Sequence, residues 1–401
     1  MTRGRTPTAS TRVLMITAAV LVAAGLASCS SDDQAAAGTA TTVAAPTTET
    51  PSSDVPTTDV PTSDAAATTE EPTTAVGVEY PTSFEQVAPG GDCQCADGSE
   101  FSLWVREADP TKVLFFFQGG GACFSAETCS FLNGTYKVTT GPDDDPSGEG
   151  GIFDLGDERN PFRDYSMVYV PYCTGDVHLG DATTDYGDGL VVQHKGAVNG
   201  QAAVDELAAR FPDAAQVVVA GESAGSVPTP LYAGLVSDVL PEARLTVLAD
   251  GSGAYPDVPT VNTLIGGLWG TTNAIPDWPE NDGLTAADWS FPDLFVQAGR
   301  HAPDIVFARH DYAFDQTQTF FAALAGIGSD DLVTLIDDNE QQIEDAGVPL
   351  LSFISPGTSH TVIGSTDFYT ETTEGVSLLS WVTDLVEGTP VDDVHCTVCG
   401  P

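Results

Sequence analysis

The chain has 401 residues, 58 acidic against 13 basic side chains, eight cysteines and a net charge of −45. So negative a surface repels nucleic acid and anionic polymers. Neither a Rossmann G-x-G-x-x-G nor a Walker phosphate loop is present, so nucleotide chemistry has no support.

Three of the bases, Arg3, Arg5 and Arg12, form a positive n-region ahead of the apolar run 13–26. That run ends in Leu26-Ala27-Ser28-Cys29, which resembles a bacterial lipobox. The pattern predicts an export signal over 1–29, with Cys29 as the lipid-modified first residue of the mature chain. Its removal leaves 58 − 10 = 48 net negative charges. Residues 30–78 are Thr, Ala, Pro, Ser and acid without an aromatic up to Val78. They offer little apolar area to offset ordering entropy and read as a disordered stalk. Residues 79–401 remain, ample for one large core. No later stretch is apolar for long enough to span a membrane, so contact with one is expected through the lipid alone.

Setting Cys29 aside leaves Cys93, Cys95, Cys123, Cys129, Cys173, Cys396 and Cys399. Cys396-x-x-Cys399 with Cys93-x-Cys95 could form a four-thiolate zinc site. The second spacing is tight for that and exported thiols oxidise, so disulfides with one thiol left over are expected, and no metal.

Short apolar runs at 112–117, 166–170, 217–220, 245–249, 304–307 and 350–354 predict strands. Helical stretches at 197–210, 228–239 and 332–345 fall between them. Such alternation predicts βαβ units and a mostly parallel sheet flanked by helices, in one globular domain.

Gly221-Glu222-Ser223-Ala224-Gly225 follows the strand at 217–220 and precedes a helix, the context of a nucleophile elbow. A serine hydroxyl needs a base, and the base needs an orienting acid. On this fold the order is Ser, acid, His, each on a loop after a strand. Of His301, His310, His360 and His395, His360 lies on the loop after the strand ending at Ile354, whereas His310 precedes the acid candidates and His395 sits in a cysteine-rich tail. Asp304, Asp311 and Asp315 lie around the 304–307 strand, with Asp311 and Asp315 expected beyond its end and Asp250 as competitor. Gly119-Gly120-Gly121, also after a strand, resembles a loop that donates amides to an oxyanion, with Ala224 supplying another. Trp269, Trp278 and Trp289 read as a lid, a sugar platform or core.

A more specific likeness covers about 93–381. Gln118-Gly-Gly-Gly-Ala-Cys123, Gly150-Gly-Ile-Phe-Asp154, Asn160-Pro-Phe162 and Pro171-Tyr-Cys-Thr-Gly-Asp-Val-His178 resemble the pectin acetylesterase / Notum family of serine carboxylic-ester hydrolases. Gly221 to Gly225, Phe314-Asp-Gln-Thr-Gln318 and Gly357-Thr-Ser-His360 complete the series. The resemblance implies an α/β-hydrolase-like fold and a triad of Ser223, Asp315 and His360, settling the acid. It also implies an oxyanion hole at Gly120, Gly121 and Ala224, and disulfides Cys95–Cys173 and Cys123–Cys129. Where the family often carries an aromatic after the glycines, this chain has Ala122.

The expectation is therefore an exported, lipid-anchored esterase that needs no cofactor and removes O-acetyl or other acyl groups from a glycan. The surface charge disfavours polygalacturonate as that glycan. A fatty-acyl carboxylesterase and a non-catalytic envelope lipoprotein binding glycan or lipid are the alternatives.

Overall fold

The apolar runs become the strands of a nine-stranded sheet. The computed structural model describes residues 79–328 and 331–400. The expected signal 1–29 with Cys29, and the expected stalk 30–78, lie outside the described residues.

In chain order the strands and helices begin with β1 (Glu85–Val87), β2 (Leu103–Arg106), β3 (Asp109–Phe117) and β4 (Tyr165–Val170). Then come the hairpin β5 (Ala182–Asp185) and β6 (Val191–His194), α1 (Gly196–Arg210), β7 (Gln216–Glu222), α2 (Thr229–Val239) and β8 (Arg244–Asp250). A stretch of short turns holds α3 (Gly266–Trp269) and leads into α4 (Phe291–His301), β9 (Val306–Tyr312) and α5 (Gln316–Leu324). The chain continues through α6 (Leu332–Asp345), β10 (Leu350–Ser355), β11 (Thr372–Thr373), β12 (Val376–Ser377), α7 (Leu378–Glu387) and β13 (Val394–His395).

The order across the sheet is β1-β2-β4-β3-β7-β8-β9-β10-β13. From β4 to β13 every pairing is parallel. Only β2 runs against both its neighbours. The parallel strands read as unbroken apolar runs because both faces are covered. Side chains alternate between them: Phe115, Phe117, Val217, Val219 and Val247 pack against α1, α2 and α4. Leu114, Phe116, Val218, Ala220 and Leu248 meet α7 and the turn holding Ile152 and Phe153. Each of the valines, leucines and phenylalanines among them contributes about 1.5–3 kcal/mol on burial, so the central strands form a stiff frame.

One strand lies elsewhere than expected. The run 304–307 predicts a strand that ends before Asp311, whereas β9 spans Val306–Tyr312 and contains Arg309, His310 and Asp311. Those three polar residues are fully or almost fully buried and partnered, which is how a strand can carry them. Disulfides join Cys95 to Cys173, Cys123 to Cys129 and Cys396 to Cys399. Cys93 is the one free thiol among the described residues, half-buried and pushed up by burial and by Asp92 and Asp205. No helix among the described residues is long and apolar enough to cross a membrane.

Candidate active site

Parallel strands end together, so the residues just past β3, β7, β9 and β10 gather at one edge of the sheet. Phe117 pairs in register with Gly221. The glycine loop after β3 therefore arrives beside the turn after β7, and closely. A Cβ on Gly119 would sit 2.9 Å from the Cβ of Ser223 and 2.8 Å from the carbonyl of Glu222. Only glycine permits that approach.

Ser223 opens a short 3₁₀ turn, Ser223–Gly225, with α2 starting at Thr229. Its φ of 53° lies in the left-handed region, where a side chain with a Cβ is strained. The sheet and helix on either side over-determine that conformation and hold the hydroxyl out of the core. The amides of Gly120 and Gly121 donate no loop or turn hydrogen bond to the backbone among the described residues.

Asp315 sits at the N-cap of α5. Its Oδ1 accepts from the amides of Thr317 at 2.7 Å and Gln318 at 3.0 Å. Its Oδ2 accepts the Nδ1 proton of His360 at 2.6 Å. The structure thus brings Asp315, not Asp311 or Asp250, to His360. Asp311 lies inside β9 with Oδ1 accepting from the Gly253 amide and the Gln318 amide group. Its Oδ2 is 3.0 Å from Arg309 Nε, without the alignment of a hydrogen bond. Asp250 ends β8 and pairs with His310 at 2.7 Å. Asp304 lies between α4 and β9 and joins neither group.

Because Asp315 takes the Nδ1 proton, a neutral His360 leaves Nε2 as the acceptor. That atom is buried and has no hydrogen-bond partner among the described residues. His360 and Ser223 border one open cleft, together with Gly119, Gly120, Gly121 and Glu222. Ser223 Oγ is not hydrogen-bonded to His360, and a catalytic contact of this kind commonly tightens only in the complex with substrate. Burial pulls the imidazole down, but the hydrogen bond and charge of Asp315, backed by Asp250 and Glu222, outweigh it. His360 ends above its usual value.

Sequence reasoning gave no role to three residues that shape this edge. Glu222, beside the nucleophile, is pushed up to about 7 by burial and by Asp250 and Glu149. His178 is buried and held down to about 4 by that burial, hence neutral. It donates Nε2–H to the carbonyl of Gln118 at 3.0 Å. The Gln118 side chain in turn accepts from Lys137 Nζ and the Tyr172 amide. The root of the glycine loop is thereby fixed from three sides. His178 belongs to the Pro171–His178 block that carried the family resemblance, and that block was the available signal.

A second, apolar space meets Ser223 from the other side. It lies between Ala122, Val227, Val261, Ile265, Trp269 and Phe291. Trp269 is 3% exposed and donates its indole N–H to the Cys123 carbonyl at 2.7 Å. Trp278 and Trp289 are equally buried, which makes them core rather than an exposed sugar platform. Ala122, small where the family often carries an aromatic, lines this space.

Sheet order, strand-end loops and elbow place the protein in the α/β-hydrolase-like class. Residues 81–265 match the pectinacetylesterase family model, a span that includes the glycine loop and Ser223 but neither Asp315 nor His360. The chain is 32% identical over 153 residues to palmitoleoyl-protein carboxylesterase notum1 of Xenopus laevis, covering 37% of this chain and 31% of that protein. To pectin acetylesterase 5 of Arabidopsis thaliana it is 26% identical over 173 residues, 42% of this chain and 40% of that one. To inactive palmitoleoyl-protein carboxylesterase notum1b of Danio rerio it is 30% identical over 118 residues, 28% of this chain and 82% of that one. The chain belongs to the pectin acetylesterase family. It spans about a third of the length of the notum1, notum1a and notum2 relatives it matches.

Proposed function

We propose that the protein is an exported carboxylic-ester hydrolase working through an acyl-enzyme on Ser223. His360 takes the serine proton at Nε2 and returns it to the leaving alcohol. Asp315 holds the imidazole in the required tautomer, and Gly120, Gly121 and Ala224 receive the oxyanion. The observation that carries this reading is the Asp315–His360 bond, with the imidazole's other nitrogen unpartnered at the cleft that Ser223 borders. The triad chemistry itself calls on no cofactor.

Two spaces meet at the serine, and they suit the two halves of an ester. The open cleft around Gly120, Glu222, Thr317 and Thr361 suits a polar alcohol such as a glycan hydroxyl. The apolar pocket suits the acyl group, because Val227, Val261, Ile265, Trp269 and Phe291 line it with hydrocarbon against which an aliphatic chain can pack. An acyl chain of several carbons on a polar alcohol is therefore the better-supported substrate class. O-acetyl removal from a glycan is the second reading, favoured by the polar cleft.

A series of p-nitrophenyl esters from acetate to palmitate separates them. The expected result is that kcat/KM rises from acetate through the medium chains, by up to about fourfold per methylene at about 0.8 kcal/mol each. A maximum at acetate would favour the O-acetyl reading, and hydrolysis of none of them would leave a binding protein.

Export and anchoring are proposed on the 1–29 pattern and on three disulfides, which form in oxidising compartments. Cys29→Ser is expected to move the protein from the membrane to the soluble fraction of lysed cells. Equal membrane association of the variant would remove the lipid from the proposal.

A further inference from the structure

A second Asp–His–Ser set lies beneath the first, closed to solvent. Asp250, His310 and Ser355 are all fully buried, the first and last closing β8 and β10 and His310 lying inside β9. His310 donates Nδ1–H to Asp250 Oδ1 at 2.7 Å. Its Nε2 then accepts the hydroxyl proton of Ser355 at 3.1 Å, and Ser355 accepts from Thr373 at 3.3 Å. Every donor in the chain has an acceptor, so the set is a satisfied relay with no opening for a substrate.

What the relay holds is the far oxygen of Asp250. Oδ2 accepts the amides of Val362 at 2.7 Å and Ile363 at 2.9 Å. These residues follow His360 by two and three positions. The next residue, Gly251, passes directly under the imidazole: a Cβ there would lie 2.9 Å from the His360 carbonyl and 3.4 Å from Cε1. The loop bearing His360 is therefore gripped on one side by Asp315 at the ring and on the other by Asp250 at the backbone.

We infer that Asp250, held by His310 and Ser355, is a positioning residue that fixes the loop carrying His360 for proton transfer. This rests on the esterase reading for its kinetic consequence, though the grip itself does not. A carboxylate is the suitable group, because one oxygen must serve two amides while the other serves an imidazole. An isosteric amide offers one acceptor and turns a donor toward one of those partners. The charged groups facing His360 are Asp315 from the start of α5, Asp250 from β8 and Glu222 from β7. Those facing Asp250 are His310 and Tyr312 of β9 and Glu222, behind which stands Glu149. All the carboxylates around the imidazole favour its cationic form.

The test is Asp250→Asn in the full chain, read in two ways. The titration of His360 is followed by NMR, which needs no activity. With one negative charge gone, its midpoint is expected to move to lower pH. The acid limb of kcat/KM should move with it, because the base must be neutral to act. On ester hydrolysis, kcat is expected to fall about 10- to 100-fold, the range for a misplaced catalytic group, with KM little changed.

An unmoved midpoint with kcat near wild type would overturn the inference. A wild-type protein inactive on all esters would defeat the esterase reading alone, and the His360 midpoint would still decide the grip. Should Asp250→Asn not fold, Ser355→Ala removes only the hydroxyl at the end of the relay. It is expected to speed amide exchange at Val362 and Ile363, and unchanged exchange there would count against the relay.

Discussion

Ser223→Ala is expected to reduce ester hydrolysis at least about 10³-fold, with the melting temperature unchanged. Ser223 Oγ makes no hydrogen bond among the described residues, so its loss orphans no partner and opens no core cavity. The backbone constraint is untouched too, since alanine meets the left-handed φ of 53° with the same Cβ. The whole effect therefore falls on the chemistry: without a nucleophile, only binding and the oxyanion amides remain. Hydrolysis of a p-nitrophenyl ester and labelling by a fluorophosphonate should disappear together. Residual activity above about one part in a thousand would place the nucleophile elsewhere.

The second large effect separates two aspartates four residues apart. Asp315→Asn is expected to lower kcat by about 10⁴ in a folded protein, because the imidazole would adopt the wrong tautomer. Asparagine can still cap α5, as its carbonyl oxygen accepts from the Thr317 and Gln318 amides. Asp311→Asn should do the reverse. It leaves the buried Arg309 guanidinium beside a neutral group, and breaking such a pair costs about 3–5 kcal/mol. The expected pattern is a cool-melting protein whose remaining folded fraction turns over normally. Thermal melts and kcat per folded molecule, measured on both variants, check it. A crippled, stable Asp311→Asn beside an active Asp315→Asn would reassign the acid.

These two aspartates also show what a sequence displays and what it hides. The parallel sheet was legible because buried strands are apolar without a break, as at Val113 to Phe117 and Val217 to Ala220. The elbow and His360 were legible because their chemistry demands a place just past a strand. The end of β9 was not. Arg309, His310 and Asp311 read as the polar exit of a strand, since hydrophobic period is blind to a charge that is buried with its partner. Two of those partners, Asn339 and Asp250, lie 30 and 60 residues away in the chain and are invisible to any local window. Within the F-D-x-x-Q segment, Gln318 bonds both Asp311 and Asp315. The motif that singled out one aspartate in fact ties the two together.

The apolar pocket and the reacting groups are built from different kinds of structure. Ser223, Asp315 and His360 hang from strands that hydrogen-bond to one another across the sheet. The pocket wall at Val261, Ile265 and Trp269 comes from the run of short turns between β8 and α4, which adds no strand to that sheet. Side chains on the wall can therefore be exchanged, or the run lengthened, without moving a strand end. Substrate range is free to drift while the chemistry stays still, so a lineage carrying this scaffold could trade a short acyl group for a long one without rebuilding its active site.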